Sequence, residues 1–181
     1  DTYTYTEGTG TPFAVEADTR LLWHLDEGAN NAPQAIDAGP LSIDGVIANT
    51  VSFLGGGAVE GRFGKARLVP NVQGDDDLGQ LAFGSGSFTV EGWIKTGPLA
   101  AGSAFLLMGR SHEIVTTTAE EYGIHLDAGG NLTAVIYPAT GSAVQAVMPG
   151  AAFDVDDNAW HAVTMVVNRE TAKLELYVDG V

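Results

Sequence analysis

Short runs rich in Val, Ile, Leu, Phe, Tyr, Trp and Thr recur along the chain, with glycine-bearing turn signals between them at about ten-residue intervals. This spacing predicts an all-β protein of many short strands. Strands are expected over 20–25, 46–48, 66–68, 87–96, 104–109, 121–127, 132–138, 144–149, 160–168 and 173–178. Several runs alternate. Phe88, Val90, Gly92 and Ile94 fall on one side of an extended segment, and Thr89, Glu91, Trp93 and Lys95 on the other. Leu174, Leu176 and Val178 repeat that logic against Glu175, Tyr177 and Asp179. Helical periodicity is weak: the best stretch, 116–121, is too short and too Thr-rich to hold a helix. Asp127-Ala128-Gly129-Gly130-Asn131 reads as a turn between two strands.

Both ends of the pattern are unusual. Residues 1–17 offer little to bury and read as a leader or an exchanged strand, leaving 18–181 as the sandwich. At the other end, Asp179-Gly180 is placed to reverse the chain after 173–178, so a return strand is expected and the sandwich reads as lacking its C-terminal closing strands. An edge left open in this way is also a template for strand addition.

Composition narrows the function classes. Asp and Glu number 23 against 8 Lys and Arg, a formal net charge of −15, which repels nucleic acid and acidic membranes. No apolar run approaches the roughly 18 residues of a membrane span, so no membrane insertion is expected. The absence of cysteine excludes disulfides, thiolate zinc sites and cysteine nucleophiles. The chain opens at Asp1 with no basic or apolar start and no initiator methionine, and reads as a mature or trimmed chain.

Six motifs in order carry a resemblance. They are Trp23-His24-Leu25-Asp26-Glu27-Gly28, Gly61-Arg62-Phe63-Gly64-Lys65-Ala66, Ser87 to Lys95, Tyr122-Gly123-Ile124-His125-Leu126, Trp160-His161-Ala162-Val163, and Leu174 to Gly180. Over residues 18–181 this series resembles laminin G-like domains of the concanavalin A-like lectin/glucanase superfamily. The resemblance implies a two-sheet antiparallel jelly-roll β-sandwich with Trp23, Trp93 and Trp160 as packing residues. It also implies an extracellular setting, secreted or at the cell surface, further strands beyond the Asp179-Gly180 turn, and calcium at a loop rim.

The residues favour binding over catalysis. Retaining glucanases need two carboxylates about 5–5.5 Å apart. Acids alternating along one strand would supply them, but Glu121/His125/Asp127 and Glu175/Tyr177/Asp179 each lack a middle acid. His24, His112, His125 and His161 fall in no zinc-binding spacing, and no Gly-x-Ser-x-Gly elbow or phosphate-binding loop is present. The acidic loops Asp75-Asp76-Asp77 and Asp154-Val155-Asp156-Asp157-Asn158 are calcium candidates, with Asp75, Asp76, Asp77, Asp154 and Asp156 as ligands. The second begins like an EF-hand, but Ala159 and Met165 stand where that loop needs its glycine and bidentate glutamate. Asn131-Leu132-Thr133 is a glycosylation sequon at a turn.

The expectation is an extracellular, non-catalytic binding or adhesion module for a glycan or a protein surface. The alternatives are a structural subunit of an extracellular assembly, homo-oligomeric through strand exchange, and, more weakly, a glycan-cleaving enzyme. Sugar binding would draw on exposed aromatics, for which Tyr122, Tyr137 and Tyr177 are candidates.

Overall fold

The computed structural model describes residues 13–25, 34–48, 58–63, 65–67, 71–74, 81–98, 104–110, 121–138, 142–150 and 152–181. Among these residues the protein is all-β, with twelve strands and no helix. It follows that no described helix is long and apolar enough to cross a membrane. The chain divides into two compact units, one over Thr6–Leu81 and the other built chiefly from Ala82–Val181.

In the first unit, β1 (Gln34–Ala35), β2 (Gly45–Ala48) and β5 (Asn71–Gly74) form an antiparallel sheet in the order β1-β2-β5, and β3 (Ala58–Glu60) pairs with β4 (Lys65–Arg67). The organising residue is Asp37, a buried carboxylate. It accepts the backbone N–H groups of Leu22 and Gly39 on Oδ1 at 2.9 and 2.6 Å, and that of Ile43 on Oδ2 at 2.9 Å. A carboxylate removed from water needs such partners, and this one finds three in the backbone around it. The Trp23 indole donates to the Ile43 carbonyl at 2.9 Å, closing the same knot.

The strand expected over 20–25 is therefore corrected to a single bridge between Trp23 and Asp37. The Leu22 N–H goes to the Asp37 side chain rather than into a ladder, and Leu25 takes a left-handed φ of 58°, which ends the extended run. Residues 1–12 of the expected leader lie outside the described residues, and 13–17 is irregular apart from a turn.

The second unit is a two-sheet antiparallel sandwich. One sheet runs β10-β9-β8-β7, from β10 (Val144–Met148), β9 (Leu132–Tyr137), β8 (Glu121–Asp127) and β7 (Ala104–Arg110). The other runs β12-β11-β6, from β12 (Lys173–Val178), β11 (Trp160–Asn168) and β6 (Phe88–Lys95). Period-two alternation places Ile124, Leu126, Leu132, Ala134 and Ile136 on the inner face of the first sheet. Phe88, Val163, Met165, Val167 and Val178 meet them from the second, and all of these are buried.

The inward set expected in β6 and β12 is the one observed, with Val90, Ile94, Leu174 and Leu176 packed on this core. At one end the rings of Phe83, Phe88 and Tyr122 close it, with Phe83 stacked on Phe88 at 4.4 Å and Phe88 tilted against Tyr122 at 4.7 Å. Strand β12 pairs with β11 on one side and, among the described residues, with nothing on the other. The turn after it forms as expected. Asp179 and Gly180 have φ values of 53° and 82°, and Val178 and Val181 exchange backbone hydrogen bonds across it.

Candidate functional site

The end of the sandwich opposite the aromatic cluster gathers the loops. Strands β6, β8, β10 and β12 all end there and β9 and β11 begin there, which follows from antiparallel pairing. The β8–β9 turn is held by the Asp127 carboxylate, which accepts the N–H groups of Gly129 at 2.7 Å and Asn131 at 3.1 Å and both oxygens of which accept the Asn131 amide. Gly130 supplies the positive φ of 72° that closes the turn. The Asn131 side-chain amide oxygen Oδ1 accepts the N–H of Gly150 at 3.0 Å and so ties the turn to the chain leaving β10. These bonds hold the Asp127 carboxyl below the usual carboxylate range, the Asn131 side chain contributing most.

The connection into β11 lies beside this turn. Val155 is fully buried in the core, which anchors 154–158 from below and turns its two neighbours, Asp154 and Asp156, away from the interior. The Asp156 carboxyl stands against Gly130, and its hydrogen bond with the Asp154 carboxyl holds it above the usual carboxylate range. The N–H of Asn158 donates to the carbonyl of Thr96 at 2.9 Å and brings the end of β6 into the same rim.

Of the calcium candidates, Asp154 and Asp156 are thus brought together, while Asp75, Asp76 and Asp77 lie outside the described residues. The pair alone falls short of the six to eight oxygens a calcium ion takes. Its neighbours are already engaged: Asp127 serves its turn, and Asp157 accepts the N–H of Ala159 at 2.6 Å. Among the described residues no group of three or more His, Asp or Glu is arranged to hold a metal.

His161, which composition alone did not mark out, clasps the rim. Its Nδ1 lies 2.8 Å from Asp179 Oδ2 and its Nε2 3.2 Å from Asp157 Oδ1, so one imidazole joins the loop before β11 to the turn after β12. The other Asp179 oxygen accepts the N–H of Ala162 at 2.9 Å. Partial burial alone would lower the His161 pKa, but the bonds and charges of Asp179 and Asp157 outweigh it and hold it above the ordinary histidine value. A histidine raised in the folded state contributes stability that is complete below its unfolded pKa of about 6.5 and is lost as pH rises through the folded value. The thermal midpoint of the native chain relative to a His161→Gln variant is therefore expected to be highest in mild acid and to shrink above about pH 6.5. A difference that widens with pH would refute the clasp. Taking this difference also cancels His125, whose burial lowers its pKa and whose effect on stability runs the opposite way.

The remaining sequence candidates separate by place. Tyr122 belongs to the core, Tyr137 is exposed, and Tyr177 is half-buried on the outer face of β12. Trp93 and Trp160 are half-buried and outside the buried core, so the packing role expected of them is not one of filling it. His24 is exposed beside the Asp37 knot, and His112 lies outside the described residues. Asp179 and Asp127, the last acids of the two alternating sets, are held by His161 and by the β8–β9 turn. The Asn131 amide of the sequon is engaged with Asp127, and the following Leu132 is buried.

A laminin G-type family model, described as concanavalin A-like lectin/glucanases superfamily, matches residues 72–181. No curated protein and no solved structure matches the chain. The match covers more than half of the sequence, including all of the antiparallel sandwich with its inward-facing β6, β11 and β12, and the chain belongs to the concanavalin A-like lectin/glucanase superfamily.

Proposed function

We propose that the chain is a non-catalytic binding module, secreted or displayed at a cell surface, that holds a glycan or a protein surface at the rim built by 127–131, 149–150 and 154–158. The observation that supports this reading is the outward pair Asp154 and Asp156, set on the buried Val155 anchor beside the Asp127–Asn131 turn. Carboxylates fixed on a rigid scaffold accept hydrogen bonds from vicinal sugar hydroxyls or from basic side chains. A surface of this charge disfavours polyanionic ligands, which leaves neutral glycans and neutral or basic protein surfaces.

A glycan array and a panel of immobilised neutral and basic proteins, each probed with and without calcium, test the reading. Binding is expected, and the double variant Asp154→Asn with Asp156→Asn should weaken it by about tenfold or more, in line with one to two charge-assisted hydrogen bonds. Binding that ignores both substitutions would move the site elsewhere. Release of reducing ends from a β-glucan panel would replace the module with an enzyme.

A further inference from the structure

We infer that strand β10 is a self-association edge, through which two copies of this chain pair their β10 strands antiparallel and extend the β10-β9-β8-β7 sheet across a two-fold axis. This goes beyond the rim binding proposed above and uses a different surface.

The argument begins with the distribution of charge. From Ala128 to Phe153 no residue is charged, in a chain whose net charge is −15. That segment contains strands β9 and β10, and it holds three of the large exposed apolar residues: Tyr137 at 44%, Val144 at 52% and Val147 at 57% exposure. Sheet edges carry unpaired N–H and C=O groups, and charged residues placed on them normally prevent edge-to-edge pairing. Among the described residues the sandwich has four edge strands. Strand β6 carries Glu91 and Lys95, β7 carries Arg110, and β12 carries Lys173 and Glu175. Strand β10, Val-Gln-Ala-Val-Met, carries none, and among the described residues it pairs with β9 alone.

The same charge distribution selects the occupant. Two copies of a strongly acidic chain repel each other over most of their surfaces, and the uncharged edge is where approach costs least. Antiparallel pairing centred on Ala146 sets Val147 of each copy against Gln145 of the other and Val144 against Met148, with no charge opposed. In a two-fold interface each residue acts twice, so one substitution counts double. A pairing of five residues a side belongs with interfaces burying under about 1,200 Å², so the association is weak and concentration-dependent.

Sedimentation velocity of the full chain over a wide concentration range, at low and high NaCl, is the test. The sedimentation coefficient is expected to rise with concentration toward a dimer, and more so at high salt, where repulsion between the copies is screened. Val147→Lys should weaken the association at least about tenfold, because it removes an apolar contact and sets two like charges diagonally beside each other across the axis. Thr89→Lys makes the same change in net charge at an exposed position of β6 and should leave the association intact. Val147 is mostly exposed, so its variant should fold; an unchanged circular dichroism spectrum checks this, and Gln145→Lys serves as the second variant. A chain that stays monomeric at every concentration and salt overturns the inference, as does association that survives both β10 substitutions.

Discussion

Replacing Ile124 by alanine lowers the free energy of unfolding by about 2–5 kcal/mol. Ile124 lies at the middle of β8, fully buried, with Met108 opposite it on β7 and Ala134 opposite it on β9. Small and large side chains thus alternate across the inner face, and the isoleucine fills the space that Ala134 leaves. Truncation removes apolar area from the core and leaves a cavity that the neighbouring strands, held in register on both sides, cannot close. Val147→Ala is the matched control, for it removes methyl groups from a mostly exposed site and should cost well under about 1 kcal/mol. Urea unfolding, with amide exchange in β8 and β9 as the local probe, reads both. Equal effects from the two variants would mean that the sheets do not face each other as described.

That pairing of sheets was legible in the sequence because alternation and turn chemistry agree in the second half of the chain. The strands expected over 121–127, 160–168 and 173–178 are found with the same bounds, since each has apolar residues at every second position and ends at a turn signal. The first half gave less. Strands β1, β3 and β5 are two to four residues long, and Gln34-Ala35 and Asn71-Val72-Gln73-Gly74 have no apolar alternation to betray them. Around β1 the backbone is ordered instead by Asp37, whose partners come from as far as Leu22, fifteen residues away, and a single aspartate carries no periodicity.

The rim was half legible. Its acids stand out as loop carboxylates, but sequence pattern alone does not show that Val155 is an anchor or that Asp157 is taken by a histidine. One signal was present for the His161 clasp. Counting back from the 169–172 turn along β11 and β12 sets Val163 against Val178 and therefore brings His161 beside Asp179.

The second large effect is expected at Gly150, where alanine should destabilise the sandwich by roughly 1–3 kcal/mol and weaken rim binding further than that loss explains. A Cβ at this position would stand 2.6 Å from the Gly129 carbonyl oxygen and 2.8 and 2.9 Å from the Gly130 carbonyl carbon and oxygen. All three are backbone atoms, so no side-chain rotation relieves the clash; the whole 127–131 turn must move. Moving it strains the Gly150 to Asn131 hydrogen bond and draws Gly130 away from Asp156, which separates the two halves of the proposed site. The sign of the effect is diagnostic. An unhindered glycine replaced by alanine gains about 0.4–1 kcal/mol by restricting the unfolded chain, so a more stable Gly150→Ala protein would show that the turn does not press on this residue. Asn131→Ala separates the causes, since it deletes the hydrogen bonds without adding a methyl group. If crowding dominates, Gly150→Ala is the more damaging of the two for binding, because it displaces the turn rather than only loosening it.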